Sequence, residues 1–163
     1  KHVPFLSFRK VQQTRADHII PLDPADPNNR FVADARSGNL PNYAFYSPDL
    51  DNDGHDPVWP PSTGLAKASK WLQDFLTNRF PPSLRKDTLV IVTFDESYGR
   101  EQTNRIYTVL LGDMVKPAVE QNPADLDVPY THYDVLRTIE ENFGLEPLAE
   151  GDRRARPISG IWR

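Results

Sequence analysis

At 163 residues the chain is the size of one ordinary domain and long enough to bury a sizeable core. Its formal net charge of -4, with 19 Lys and Arg scattered along the chain, argues against a nucleic-acid or anionic-membrane surface as the main partner. The absence of cysteine excludes a disulfide framework and a thiolate metal site, and no apolar run reaches the ~20 residues a membrane span requires. Three Trp and 38% hydrophobic residues support a globular fold, while 16 Pro and a mean hydropathy of -0.60 imply much loop. The chain opens at Lys1 with no initiating Met and no signal peptide, which reads as a processed or truncated end.

Residues 1–8, KHVPFLSF, are apolar around one His and one Pro and predict a strand or extended segment entering the core. Residues 11–29 are polar and Pro-rich, with Asp23-Pro24 and Asp26-Pro27 as punctuation, and predict a surface loop. Asn28 or Asn29 can cap a short helix through Arg36, with Phe31, Val32 and Ala35 on one face and Gly38 as its left-handed stop. A strand rich in Tyr and Phe is expected over residues 42–47. It runs into an acidic loop, PDLDNDGHDP, at residues 48–57. Asp49, Asp51, Asp53 and Gly54 match the first half of an EF-hand loop, but the twelfth position, which needs a bidentate Glu, is Pro60, so that reading fails.

Ser62 or Thr63 can cap the clearest amphipathic helix, in which Leu65, Ala68, Leu72, Phe75 and Leu76 fall at three- and four-residue spacing until Pro81-Pro82 closes it. The next stretch, TLVIVTF at residues 88–94, is apolar without alternation, which is how a strand covered on both faces reads. Strand, helix, strand predicts a β-α-β unit, with residues 42–47 and 88–94 parallel. A further strand is expected over residues 105–111. The last strong helix covers residues 132–142, with Thr131 and Asp134 as capping box, Val135, Leu136, Ile139 and Phe143 as buried face and Gly144 as stop. A charged tail follows from Glu150, pinned by Trp162. The fold class is therefore α/β, a largely parallel sheet with helices on both faces.

The chemistry concentrates after strands. Asp95 and Glu96 stand where the apolar strand stops, the end at which open α/β sheets bind ligands, and paired hard oxygens there suit a divalent metal. Of the four histidines, His2 borders an apolar segment, His55 sits in the acidic loop and His132 begins a helix, whereas His18 lies in a polar loop and is read as a surface residue. Free N–H groups at a helix start attract anions and favour a neutral His beside a phosphate. Two acids and three histidines suit phosphate-ester hydrolysis, in which metal and imidazoles neutralise and protonate the phosphoryl oxygens.

The order of KHVPFLSF, LPNYAFYSPDLDNDGHD, TLVIVTFDES, NRIYTVLLGDMV and YTHYDVLRTIEENFGLEPL resembles the carboxy-terminal half of the phosphoesterase family that includes microbial acid phosphatases and bacterial phospholipases C, within the alkaline phosphatase superfamily. The resemblance implies an alkaline-phosphatase-like fold, incomplete on its amino-terminal side. It implies one or more divalent metal ions on Asp95 and Glu96, His55 and His132 as catalytic residues, and His2, Asn52 and Asp56 as substrate-binding or loop-supporting residues. It further implies a phosphate ester as substrate and a secreted or cell-envelope location.

In that family a Glu-Asn pair and the nucleophilic Ser or Thr lie upstream of KHVPF, and no residue here replaces the nucleophile: Ser7 and Thr93 fall inside apolar segments and Ser97 merely follows the acids. The 163 residues are accordingly expected to be a single domain or the carboxy-terminal half of a larger one, with the missing half as partner. Phosphomonoesterase activity is the leading expectation. Its rivals are phospholipase C-type phosphodiesterase activity and a non-catalytic interaction fragment.

Overall fold

The computed structural model describes residues 3–55, 63–81, 86–97, 103–117 and 129–163. His2 and Asp56, together with the Ser62 cap and Pro60, lie outside them. The fold is mixed α/β: α1 (Arg9–Thr14), α2 (Arg30–Ser37), α3 (Thr63–Asp74), β1 (Val90–Thr93), β2 (Thr108–Leu111), α4 (His132–Phe143) and α5 (Glu150–Arg154).

β1 and β2 form a two-stranded sheet. The Thr93 and Thr108 hydroxyls meet at 2.7 Å, while a Cβ on Gly112 would fall 2.6 Å from the Thr88 carbonyl, so the strands run antiparallel. The expected β-α-β pairing is not seen, because residues 42–47 are not a strand. Their aromatics are used otherwise: Tyr46 stacks on Trp71 at 5.9 Å and packs on Phe75 at 5.1 Å, and Phe45 meets Phe5 edge-on at 5.5 Å. Val90, Ile91 and Val92 are half-buried instead of covered on both faces.

Contacts divide the chain into two compact units, Lys1–Lys86 with Thr93–Thr108, and Asp87–Val92 with Val109–Arg163. In the first, residues 3–8 of the stretch expected to be a strand or extended segment make a turn instead. Pro4, with its preset φ, opens a 3-10 turn over Pro4–Ser7, and α1 follows where a loop was expected. α2 forms as its sequence predicts: the Asn29 side chain accepts from the Val32 N–H at 3.3 Å, Gly38 ends the helix at φ 74°, and Val32 and Ala35 are buried. α3 buries Ala68 and runs into a π-helical turn, Phe75–Arg79, whose Phe75 is buried. Leu65, expected on the buried face, is 66% exposed, because the buried stripe runs through Gly64, Ala68 and Phe75 and Leu65 lies to one side of it. Phe31, Tyr46, Trp71, Phe75 and Phe80 form the aromatic core. Burial there raises the Tyr46 pKa against a hydrogen bond with Asn29.

The second unit is held by polar groups. α4 has its expected capping box, with the Asp134 carboxylate accepting from the Thr131 N–H at 2.6 Å, and its stop at Gly144, φ 63°. Its fully buried residues, however, are Asp134, Thr138 and Glu140 and none of the expected apolar set. Asp134 also accepts from the Arg156 N–H at 3.0 Å, and the Thr138 hydroxyl from the Ile158 N–H at 2.8 Å. Polar groups win the inner side because the chain at 156–158 brings backbone donors that need acceptors. Trp162 pins the tail as expected, donating Nε1–H to the Ile158 carbonyl at 2.8 Å and pairing with Val115, with Ile158 and Ile161 buried beside it.

Candidate active site

Asp95 and Glu96 follow β1 after one residue, Phe94, and both carboxylates are exposed. The Glu96 N–H donates to Asp95 Oδ1 at 3.0 Å, and the Ser97 N–H donates to Asn104 Oδ1 at 2.9 Å, closing the turn behind the acids. Asn104 sits at φ 42°, a conformation Asn tolerates better than most residues. The Thr93–Thr108 hydroxyl pair fixes the strand end two residues before Asp95.

The 49–55 loop is built by Asp49. Its Oδ1 accepts from the Asp51 N–H at 2.9 Å and from the Asn52 side-chain amide at 2.8 Å, while the Asn52 N–H donates to the Asp49 carbonyl at 3.0 Å. Lys67 reaches Asp51 at 3.2 Å and so ties the loop to α3. The His55 N–H donates to Asp53 Oδ1 at 2.8 Å, and Gly54 takes φ 85°, where a side chain would be strained. A Cβ placed on Gly54 would meet Ala68 Cβ and Phe94 Cε1, each at 3.5 Å. The loop thus rests on α3 and on the residue that immediately precedes Asp95, so the fold brings the NDGH and TFDE stretches together.

The His55 side chain is exposed. Asp53 Oδ2 is buried, with no hydrogen-bond partner among the described residues. His132 is the first residue of α4, in the other unit, and is exposed. Asn52, expected to bind substrate, spends its amide inside the loop. Sequence reasoning missed Asp49 as the loop's organiser and Asn104 as the support behind the acids. The spacing of Asp49 from Asp51, an acceptor two residues before a donor, was the signal for the first; nothing local announced the second.

Asp95 and Glu96 are hard oxygen donors of the kind a divalent cation takes, yet two donors fall short of the six or so such an ion uses. Among the described residues no three His, Asp or Glu side chains gather closely enough to hold a metal ion. The acids therefore fit the implied metal in kind, and would supply only part of the ligand set such an ion takes.

The chain is 34% identical over 161 residues to a probable acid phosphatase of Kluyveromyces lactis, covering 97% of this chain and 35% of that protein. It is 37% identical over 137 residues to an acid phosphatase of Aspergillus niger, 80% of this chain and 30% of the relative. It is 30% identical over 162 residues to a phosphatidylinositol-3-phosphatase of Mycobacterium tuberculosis, 99% of this chain and 46% of the relative. The chain thus spans less than half the length of the curated relatives it matches. No solved structure matches it. With the profile of the Phosphoesterase family matching residues 5–146, a span that takes in the 49–55 loop, Asp95, Glu96 and His132, the chain belongs to the phosphoesterase family.

Proposed function

We propose that this chain is the metal-and-histidine part of a phosphate-monoester hydrolase of the acid phosphatase type. The observation that carries the reading is the seating of Gly54 against Phe94, which draws His55 and its loop to the strand end that bears Asp95 and Glu96. In this proposal Asp95 and Glu96 hold the divalent ion, which when bound neutralises phosphoryl charge and activates the nucleophile. His55 hydrogen-bonds phosphate oxygens or protonates the leaving group from a loop stiffened by Asp49 and Asn52. His2 and Asp56 are assigned to the substrate pocket by family resemblance, and His132 to proton transfer or phosphate binding at the start of α4. The nucleophile and the remaining metal ligands come from another part of a larger α/β domain with an alkaline-phosphatase-like, largely parallel sheet, secreted or held at the cell envelope.

The Mycobacterium relative, by its name a phosphatidylinositol-3-phosphatase, supports a phosphomonoester on a lipid head group as the second reading of the substrate. A phospholipase C-type reaction and a non-catalytic interaction fragment are the rivals. Intact mass under mild and denaturing conditions, with p-nitrophenyl phosphate turnover on the same sample, tests the reading. A second polypeptide and turnover that disappears in Asp95→Ala support it. A lone 18.6 kDa chain that folds and turns nothing over leaves only the interaction fragment. Hydrolysis of a choline phospholipid without phosphomonoesterase turnover would select the phospholipase reaction.

A further inference from the structure

Asp95 and Glu96 stand between two ties that join their segment to the one leading into β2. On one side the Thr93 and Thr108 hydroxyls meet at 2.7 Å, and on the other the Ser97 N–H donates to Asn104 Oδ1 at 2.9 Å. Three residues separate the ties on each segment, Phe94, Asp95 and Glu96 on one and Arg105, Ile106 and Tyr107 on the other, so the antiparallel register of the strands is kept past the acids. That register sets Arg105 opposite Glu96, one position from the residue opposite Asp95. Residues so paired hold their Cβ atoms about 5 Å apart, within easy reach of an arginine side chain. Asn104, which carries the second tie, immediately precedes Arg105 and holds its backbone in place. Arg105, Asp95 and Glu96 are all exposed, and Arg105 is the one cation among the described residues from 93 to 108. A guanidinium placed opposite two acids neutralises them, and at carboxylates that suit a divalent ion it is also that ion's competitor, because two cations on the same oxygens repel. Its planar fork of N–H donors matches phosphoryl oxygens equally well.

We propose that Arg105 is the resident counter-ion of Asp95 and Glu96, that it gives way there to a divalent ion, and that its released guanidinium binds the phosphoryl group of the substrate. The inference rests on the functional reading above and adds to it a residue that the motifs did not single out. Arg105 first neutralises the acids and then, once they hold an ion, carries phosphoryl charge beside His55. The exchange costs little because all three side chains lie in solvent, where an ion pair is weak enough to break.

The test measures two affinities of the chain: Mn2+ from the loss of the free ion's electron paramagnetic resonance signal, and labelled inorganic phosphate by equilibrium dialysis at fixed Mn2+. Arg105→Gln should bind Mn2+ about twofold to fivefold more tightly, since the competing charge is gone. It should bind phosphate about tenfold or more weakly, since a charge-assisted pair of hydrogen bonds is lost. Opposite signs mark the exchange, whereas a residue that merely shaped the turn would weaken both ligands together. Arg105→Lys should keep the wild-type Mn2+ affinity and recover phosphate only in part, because an ammonium has no fork. Asp95→Asn should abolish the Mn2+ gain of Arg105→Gln, which locates the competition at the acids. Arg105→Gln that weakens both ligands or leaves either unchanged, a gain that survives Asp95→Asn, or a chain that takes up no phosphate would each overturn the proposal. Opposite shifts without any p-nitrophenyl phosphate turnover would refute the phosphatase reading and leave the exchange standing. Turnover that requires Asp95, with both affinities indifferent to Arg105, would do the reverse.

Discussion

Asp134 joins two segments 22 residues apart: one carboxylate oxygen takes the Thr131 N–H at 2.6 Å, and the other takes the Arg156 N–H at 3.0 Å. The same group therefore caps α4 and anchors the chain that leads to Trp162. Asp134→Ala removes the cap and leaves the part-buried Arg156 N–H without its acceptor, and is expected to destabilise by about 1–3 kcal/mol. Thermal or urea unfolding measures this, and Asp134→Asn, which keeps an acceptor, should recover part of the loss.

A pH dependence follows from Asp152. Burial opposes ionisation of this residue, but the Leu148 and Ala149 N–H groups outweigh burial and hold its carboxyl below the usual range. The unfolded chain then binds the proton more readily than the folded one. The contribution is complete above the ordinary Asp value of about 4 and is lost as pH falls through the lower folded value. Melting midpoints recorded from pH 7 downward should hold to about pH 5 and drop below about pH 4, and Asp152→Asn should be less stable at pH 7 with a shallower acid limb.

The exposed acids should separate activity from stability. On the proposed function, Asp95→Asn and Glu96→Gln are each expected to lower p-nitrophenyl phosphate turnover on the order of 100-fold or more, since the charge stabilisation a bound divalent ion would supply is worth several kcal/mol. The melting midpoint should move by less than about 2 °C, since surface changes lie within roughly 0.5 kcal/mol. Metal titration of the same variants should show weakened binding.

Gly54→Ala tests the seating of the loop. The added Cβ would make ordinary contacts at 3.5 Å with Ala68 and Phe94, so the penalty comes from φ 85° and should be about 1–2 kcal/mol. A loop that relaxes would carry His55 away from the strand end, and turnover should fall more than the stability change alone explains.

Phe75 stands in contact with Phe31, Tyr46, Trp71 and Phe80, so Phe75→Ala should cost about 3–5 kcal/mol. Near-ultraviolet circular dichroism should lose the Trp71 and Tyr46 signals together if these rings depend on it.

Local sequence determined the features whose energetics are local. The Asn29 cap, the Gly38 and Gly144 stops and the Thr131–Asp134 box each involve residues within one turn, where side-chain and backbone groups satisfy one another whatever surrounds them. Position of the acids after β1 was likewise legible, because a β-branched apolar run ends where its polar neighbours begin. Tertiary structure decided the rest. Whether residues 42–47 pair in a sheet depends on what else their aromatics can pack against, and Trp71 and Phe75 drew Tyr46 away. Which side of α4 turns inward depends on the donors at Arg156 and Ile158, 22 and 20 residues from their acceptors, and no periodicity reports them. The approach of Gly54 to Phe94 joins two stretches separated by a whole helix, so sequence could name both as chemical and only the folded chain could bring them together.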